Sequence, residues 1–286
     1  MPARRAGRPS PSAHRRLLPT ALVVLVAGGL AAGGYGIVEA ASDPDPGPRG
    51  VAAGGTVGPP APAPTVGPPS TPGSGPTDTP RRTPPPPPIR YPEVGPRTWR
   101  VAAGHSPVLG EAGELLRFRV AVEDGITGIT ADDFADAAVT TLGDARGWTG
   151  SGQWRLQRVG PDEEADFTIY LATPATRDEL CADGYDRYTS CRNGGSVVVN
   201  VARWAHGVPH YGAPLAVYRQ YVINHEVGHR LGHGHELCPG PGQPAPVMQQ
   251  QTLALHGCTP NPWPLRDGEP HSGPPGQYDD PIPDLH

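Results

Sequence analysis

The chain has 286 residues, among them 40 Pro, 39 Gly and no Lys, and a formal net charge of −5. Residues 1–90 carry 9 Arg and 4 acidic residues, whereas residues 91–286 carry 14 Arg and 24 acidic residues, a net charge of −10. Because a region this acidic and without Lys lacks the clustered basic groups that neutralise phosphates, the composition excludes a nucleic-acid partner.

The N-terminal part of the chain predicts export. Residues 1–16 are basic, and residues 17–40 contain one long apolar run, residues 17–38. About 20 apolar residues span a bilayer, and the preceding arginines place the N-terminus in the cytoplasm. We therefore expect a single-pass membrane anchor that leaves the rest of the chain on the extracellular face. A cleaved signal peptide, which would give a secreted protein, is the alternative, because Val38-Glu39-Ala40 loosely fits a cleavage site.

The following stretch, residues 41–90, contains 17 Pro. Pro lacks a backbone N–H and fixes φ, so this composition cannot build a packed core and predicts a disordered, extended linker. We expect one folded domain over residues 91–270, because about 180 residues suffice for one well-buried core. A flexible tail over residues 271–286 is expected to follow.

The folded region is predicted to mix strands and helices, which indicates an α+β fold. Residues 116–122 alternate apolar and polar side chains and predict a half-buried strand. Thr130 and Asp133 resemble a capping box and start a helix that runs to Leu142. Apolar patterns predict three further strands, at residues 154–159, 167–171 and 196–201. They also predict a long helix late in the chain, at residues 214–231.

The late helix carries a pair of histidines. His225 and His229 are four residues apart, so they lie one turn apart on one face and present two imidazole nitrogens at metal-binding separation. Gly232 can adopt a left-handed conformation and end the helix. His235 then supplies a third nitrogen from the loop, and three neutral ligands leave Zn²⁺ one open position for water. His233 is the alternative third ligand if the helix continues.

Residues 225–235 resemble the extended motif of the metzincin clan of zinc metalloproteases, His-Glu-x-x-His-x-x-Gly-x-x-His. All five fixed positions match, at His225, Glu226, His229, Gly232 and His235. Metzincins also place a Met in a turn beneath the metal. Met248 fits that role. The alternative interpretation is that Met248 only fills a gap in the apolar core. Gln250 stands where some branches of the clan have an additional Tyr ligand, so we expect no Tyr ligand from that position.

The resemblance implies a zincin-like domain, with a mixed β-sheet over an active-site helix and a smaller lower part after Gly232. It implies one catalytic Zn²⁺ held by the three histidines, and Glu226 as the general base that takes a proton from water. Substrate peptides in this clan pair with a sheet edge, and we expect the strand at 197–201 to be that edge. The residues that flank Cys238 and Trp263 also resemble an actinobacterial family of exported, zincin-like domains.

We therefore expect a metalloendopeptidase that hydrolyses peptide or protein substrates outside the cell. Two alternatives stay open: a zinc-bearing binding or scaffold domain without turnover, and a zinc hydrolase that cleaves peptidoglycan stem peptides. The presence of Glu226 favours an active enzyme. A domain that has lost its activity has usually lost the general base as well, because the fold tolerates that loss.

Four cysteines in an exported domain should be oxidised. We predict the two local pairs, Cys181–Cys191 and Cys238–Cys258, the second of which closes a segment containing Met248. Glu236 follows the third histidine directly and either orients that ligand or lies in solvent. Three other histidines are expected to lie at the surface or in loops and not to bind the metal: His206, His210 and His256.

Overall fold

The computed structural model describes residues 87–283. The predicted basic N-terminus, the predicted membrane anchor or signal segment and almost all of the Pro-rich linker lie outside these residues. Between residues 87 and 283, no helix is both long and apolar enough to cross a membrane.

Six strands of the described region form one mixed β-sheet: β1 (Trp99–Val101), β2 (Glu114–Glu123), β3 (Trp154–Arg158), β4 (Phe167–Ala172), β5 (Cys191–Asn193) and β6 (Ser196–Asn200). Their order is β1–β2–β4–β6–β5, and β3 also pairs with β2. Parallel pairs join β2 to β3 and β4, and β4 to β6. The short strands β1 and β5 are antiparallel to their neighbours, so β5 lies at one edge and β6 lies in the interior of the sheet.

Helices cover both faces of this sheet. α1 (Ala131–Leu142) and α4 (Leu215–Arg230) contact each other and pack on the face that forms the main apolar core. α2 (Pro174–Cys181) packs on the opposite face, where Val198 joins a smaller cluster. The alternation of side chains along β6 produces this division, because Val197 and Val199 point into the main core. The sequence prediction of a mixed α+β domain is therefore confirmed.

Local signals fix several boundaries of these elements. The capping box at the start of α1 is present: Asp133 N–H donates to Thr130 Oγ1 and Thr130 N–H donates to Asp133 Oδ2, both at 3.0 Å. The strand predicted at 196–201 ends one residue early. The Asn200 side chain accepts a hydrogen bond from Ala202 N–H at 2.9 Å and so caps α3 (Val201–His206).

The chain after α4 contains the short strands β7 (Leu265–Arg266) and β8 (Glu269–Pro270) and is otherwise irregular. Residues 271–283, which the sequence predicts as the start of a flexible tail, lie against the loop that contains His235. Leu237 N–H donates to Pro274 O at 2.8 Å, and Gly276 N–H donates to His235 O at 3.0 Å. The contacts of the domain therefore extend beyond the predicted boundary at residue 270.

Both predicted disulfides are present. Cys181 at the end of α2 is bonded to Cys191 of β5, with their Cα atoms 6.0 Å apart. Cys238 is bonded to Cys258, with their Cα atoms 5.8 Å apart. The second bond joins the loop after His235 to the segment that follows Met248.

Replacing Cys238 and Cys258 together by Ser is expected to lower the free energy of unfolding by about 3 kcal/mol, because the disulfide restricts the unfolded chain. The measurement is urea unfolding of the full-length chain, followed by Trp fluorescence. Wild type under reducing conditions provides the comparison and should lose at least as much stability. A loss below about 1 kcal/mol would contradict the prediction, since the chain-entropy model assigns about 3 kcal/mol to a loop of this length.

Candidate metal centre

The helix α4 carries the predicted histidine pair. Pro214 precedes its first turn, where the missing N–H removes no helical hydrogen bond. Tyr218, Val222 and His225 are buried along one face of the helix. The 3.6-residue period of the helix therefore places His225 in the interior and His229 one turn later, where it is only partly buried.

The end of α4 is a Schellman motif at Gly232. His233 N–H donates to Gly228 O at 3.0 Å and Gly232 N–H donates to His229 O at 3.2 Å. The φ angle of Gly232 is +97°, a conformation that residues with a side chain rarely adopt. α4 ends at Arg230, one residue before the predicted Leu231, and Gly232 terminates it as predicted, so that the reversal of the chain brings His235 back towards His229.

The three predicted ligands converge. His229 Nε2 lies 3.2 Å from His225 Nε2 and 3.1 Å from His235 Nε2, and the three ligand atoms all lie within 4.8 Å of one another. Nitrogens bound to one tetrahedral Zn²⁺ at about 2.0–2.1 Å lie about 3.3 Å apart, so this donor set fits a divalent ion. His233 instead stacks on the Trp148 ring, with centroids 4.2 Å apart, and is not part of the cluster.

Each of the three histidines uses its other ring nitrogen for a contact with the protein. His225 Nδ1 lies 2.8 Å from Val247 O, and His229 Nδ1 lies 2.9 Å from His233 O. His235 Nδ1 lies 2.8 Å from the side-chain Oε1 of Gln277. An imidazole that donates from Nδ1 keeps the Nε2 lone pair free, which is the form that binds a metal.

The protein environment keeps these imidazoles neutral. Burial lowers the pKa of His225 well below 6.5, and the neighbouring histidines lower it further. Burial also lowers the pKa of His229 to about 4 and shifts the pKa of His235 downwards. Because metal ligands must be unprotonated, the cluster is ready to bind a cation at neutral pH.

Glu226 lies beside the cluster and is 5% exposed. It lines the same cavity as the three histidines, and no group among residues 87–283 donates a hydrogen bond to its carboxylate. Burial raises the pKa of the Glu226 carboxyl to about 8, and Arg177 opposes this rise. A divalent cation at the histidines would act in the same direction as Arg177. With such a cation present the carboxyl would ionise more readily, and its carboxylate could then accept a proton from a molecule in the cavity.

Met248 lies directly against α4 between the two histidines. Its side chain is 1% exposed, and a Cβ atom at position 228 would lie 2.5 Å from Met248 Sδ and 2.7 Å from the Trp148 ring. Gly228 therefore allows the helix to lie close to the Met248 turn. Met248 also belongs to the main apolar core, so both interpretations of this residue agree with its position.

A cavity of about 470 Å³ opens in front of the histidines and Glu226. Arg177, Asp183 and Asp186 line part of it. Arg177 is 1% exposed, and its Nη2 lies 2.8 Å from both Asp183 Oδ2 and Asp186 Oδ2. The buried guanidinium of Arg177 thus holds Asp183 and Asp186, and with them the segment between Cys181 and Cys191, as one wall of the cavity.

The sheet edge beside the cavity is β5, and the prediction that the strand at 197–201 is this edge was wrong. β6 pairs with β4 on one side and β5 on the other, whereas Cys191 and Arg192 of β5 line the cavity. The three consecutive valines of β6 are buried on both faces, which is the signature of an interior strand. Arg192 also donates to His229 O at 2.6 Å and so satisfies the carbonyl at the end of the helix.

The remaining predicted residues lie around the cluster without joining it. Glu236 Oε2 accepts a hydrogen bond from Gly273 N–H at 3.1 Å and does not orient a histidine. Gln250 lines the cavity. The other histidines have separate partners, namely Tyr91 for His206, the Gln251 carbonyl for His210 and Asp280 for His256.

Sequence reasoning missed Arg177 and Gln277. Arg177 is followed by Asp178, Asp183 and Asp186, and such a charge pattern is a signal that could have indicated an ion network. Gln277 offers no comparable signal, because it lies 42 positions from His235 in a Pro- and Gly-rich segment.

A family model described as "Protein of unknown function (DUF3152)" matches residues 85–264. No curated protein and no solved structure matches the chain. The matched region contains the sheet, both disulfides and the three histidines, and it ends before the segment that contains Gln277.

Proposed function

The chain belongs to the DUF3152 family, whose model spans more than half of its residues, and we propose that it is a zinc-dependent metallopeptidase of the metzincin type. One observation carries this proposal: the Nε2 atoms of three histidines converge beside the buried carboxylate of Glu226, at a cavity. The histidine motif, the Met248 turn and the mixed sheet over α4 agree with a zincin-like fold.

The donor set favours zinc among the common metals. His225, His229 and His235 offer three neutral nitrogens, whereas Ca²⁺ and Mg²⁺ prefer oxygen ligands. Three histidines and an open position are typical of catalytic zinc. A Zn²⁺ ion held by these three histidines would supply Lewis acidity, which polarises a scissile carbonyl and makes water more acidic.

Glu226 carries the proton in the proposed reaction. Its carboxylate accepts a proton from the attacking water while the water oxygen forms a bond to the scissile carbonyl carbon. The Glu226 carboxyl then gives this proton to the leaving nitrogen as the C–N bond breaks. Glu226 therefore ends the cycle ionised, as it began, and the products are a carboxyl group and an amine.

The proposed substrate is an extended peptide that adds to the sheet at β5. Within the described residues, β5 pairs with β6 on one side only, so its other side offers backbone N–H and C=O groups. Cys191 and Arg192 of this strand line the cavity that contains Glu226. A peptide that pairs with β5 therefore passes in front of the three histidines.

We propose that the domain works outside the cell. Two disulfides persist in oxidising compartments and are rare in the cytosol. The apolar run and the Pro-rich linker of the sequence precede the domain in the order expected of an envelope-anchored or secreted protein.

Removal of the metal tests this proposal. The full-length chain is expected to contain about one zinc per molecule and to cleave members of a mixed peptide library that includes peptidoglycan stem peptides. A chelator should abolish cleavage and added Zn²⁺ should restore it. His229→Ala is expected to lose both zinc and cleavage, whereas His105→Ala, at an exposed site that pairs with Glu163, is the matched control and should retain both.

The outcomes separate the candidate functions. Zinc in wild type without cleavage of any library peptide would contradict the peptidase and favour a scaffold. Cleavage confined to stem peptides would narrow the substrate to the cell wall. Absence of zinc from wild type would overturn the metal site itself.

A further inference from the structure

The C-terminal segment 271–283 is held beside the third histidine by its backbone. Leu237 N–H donates to Pro274 O at 2.8 Å, and Gly276 N–H donates to His235 O at 3.0 Å. An antiparallel bridge also joins Glu236 to Pro275. The segment therefore runs alongside the loop that follows Gly232, up to the residue before Gln277.

A second set of contacts anchors the segment after Gln277. The Tyr278 ring stacks on the His256 ring with centroids 3.5 Å apart, and Tyr278 Oη accepts a hydrogen bond from Cys238 N–H at 3.2 Å. Asp280 Oδ2 lies 2.8 Å from His256 Nε2. Because Cys238 is bonded to Cys258, these anchors lie on a covalently closed part of the domain.

Gln277 lies between the two sets of anchors, and its side chain reaches the metal centre. Its Oε1 is 2.8 Å from His235 Nδ1. The Nδ1 atoms of His225 and His229 face backbone carbonyls instead, at Val247 and His233. His235 is thus the one histidine of this cluster whose Nδ1 partner is a side chain, and that side chain comes from another segment.

An amide oxygen accepts a hydrogen bond but donates none. When Gln277 Oε1 accepts from His235 Nδ1–H, the imidazole proton is fixed at Nδ1 and the Nε2 lone pair faces the other two histidines. Partners of this kind orient metal-binding histidines and raise the affinity for the metal.

We propose that Gln277 is a positioning residue of the metal centre, which holds His235 in the orientation and tautomer that bind zinc. The C-terminal segment is then a part of the site, even though the family match ends at residue 264. This inference rests on the proposed zinc site, and its test distinguishes the failure of one from the failure of the other.

The first test measures zinc affinity of the full-length chain by competition with a chromophoric chelator. Gln277→Leu removes the acceptor and is expected to weaken zinc binding about 10- to 100-fold. Gln277→Glu keeps an acceptor oxygen in place and should restore affinity to at least the wild-type value. Gln243→Leu, at an exposed position outside the site, is the matched control and should leave zinc binding unchanged.

The second test observes the proton itself in the zinc-loaded chain labelled with ¹⁵N. In wild type the His235 Hδ1 signal should be protected from exchange with water and should show a through-space contact with the Gln277 side chain. The signal should persist in Gln277→Glu and be lost in Gln277→Leu. The wild-type spectrum decides the proposal even if the Leu variant does not fold.

Equal zinc affinity of wild type and Gln277→Leu, or a wild-type His235 Hδ1 that shows no contact with Gln277, would overturn the role of Gln277 and leave the zinc site intact. Failure of wild type to bind zinc would overturn the site, and the role of Gln277 with it.

Discussion

Replacement of Glu226 by Gln is expected to lower kcat/KM for peptide hydrolysis by about 10²- to 10⁴-fold while zinc content stays the same. The side-chain amide of Gln has nearly the shape of the carboxylate, but it cannot accept the proton of the attacking water. Because no described group donates a hydrogen bond to the buried Glu226 carboxylate, the substitution breaks no hydrogen bond among the described residues. The loss should therefore appear in catalysis and leave folding intact.

The measurement combines steady-state kinetics with metal analysis of the same full-length preparations. Glu236→Gln is the matched control, because its carboxylate accepts only from Gly273 N–H among the described residues and a Gln oxygen can accept there too. It should change kcat/KM by less than about threefold, since only a backbone contact is involved. Full activity of Glu226→Gln would remove Glu226 from the proposed mechanism, whereas loss of zinc from that variant would show a structural role.

The sequence predicts the metal cluster because its geometry is set locally. A spacing of four on a helix aligns His225 with His229, and a left-handed Gly232 reverses the chain within one turn, so neighbouring residues alone bring His235 back. The capping box of α1 is predictable for the same reason.

Contacts between segments that are distant in the sequence could not be predicted from it. The partner of His235 is 42 positions away and is placed by backbone pairing, which side-chain pattern does not encode. The edge of the sheet was assigned wrongly because the apolar strand β6 gives a stronger signal than the three-residue strand β5. A run of apolar residues indicates that a strand is buried, and a strand that is buried on both faces lies in the interior of a sheet and not at its edge.

The ion network of Arg177 combines a local sequence pattern with a role in the site. Its charged residues are close in sequence, and in the folded chain they line one wall of the cavity at the proposed active site. Its members follow one another within ten positions, and the disulfide Cys181–Cys191 spans the same segment. Arg177 also donates to the Thr189 carbonyl at 3.1 Å, so a single guanidinium connects both ends of the segment.

Replacement of Arg177 by Leu is expected to lower the free energy of unfolding by about 3–5 kcal/mol, because the buried carboxylate of Asp186 keeps its hydrogen bonds from Tyr188 and Thr189 but loses the cation that faces it. Asp186 is the group affected most: it is 9% exposed, and its carboxylate faces Arg177 Nη2 at 2.8 Å. Adding Asp186→Asn to Arg177→Leu removes that charge and should recover part of the loss. Urea unfolding of the full-length chain measures all of these variants.

Arg97→Leu is the matched control for this experiment. Arg97 pairs with Glu179 at the surface, where both side chains are about half exposed, and such pairs contribute about 0–1 kcal/mol. Equal small losses for the two single variants would show that water solvates the Asp186 carboxylate once Arg177 is gone. A large loss confined to Arg177→Leu, with recovery in the double variant, would instead identify the loss of the cation beside the Asp186 carboxylate as the cause and the network as the support of the cavity wall.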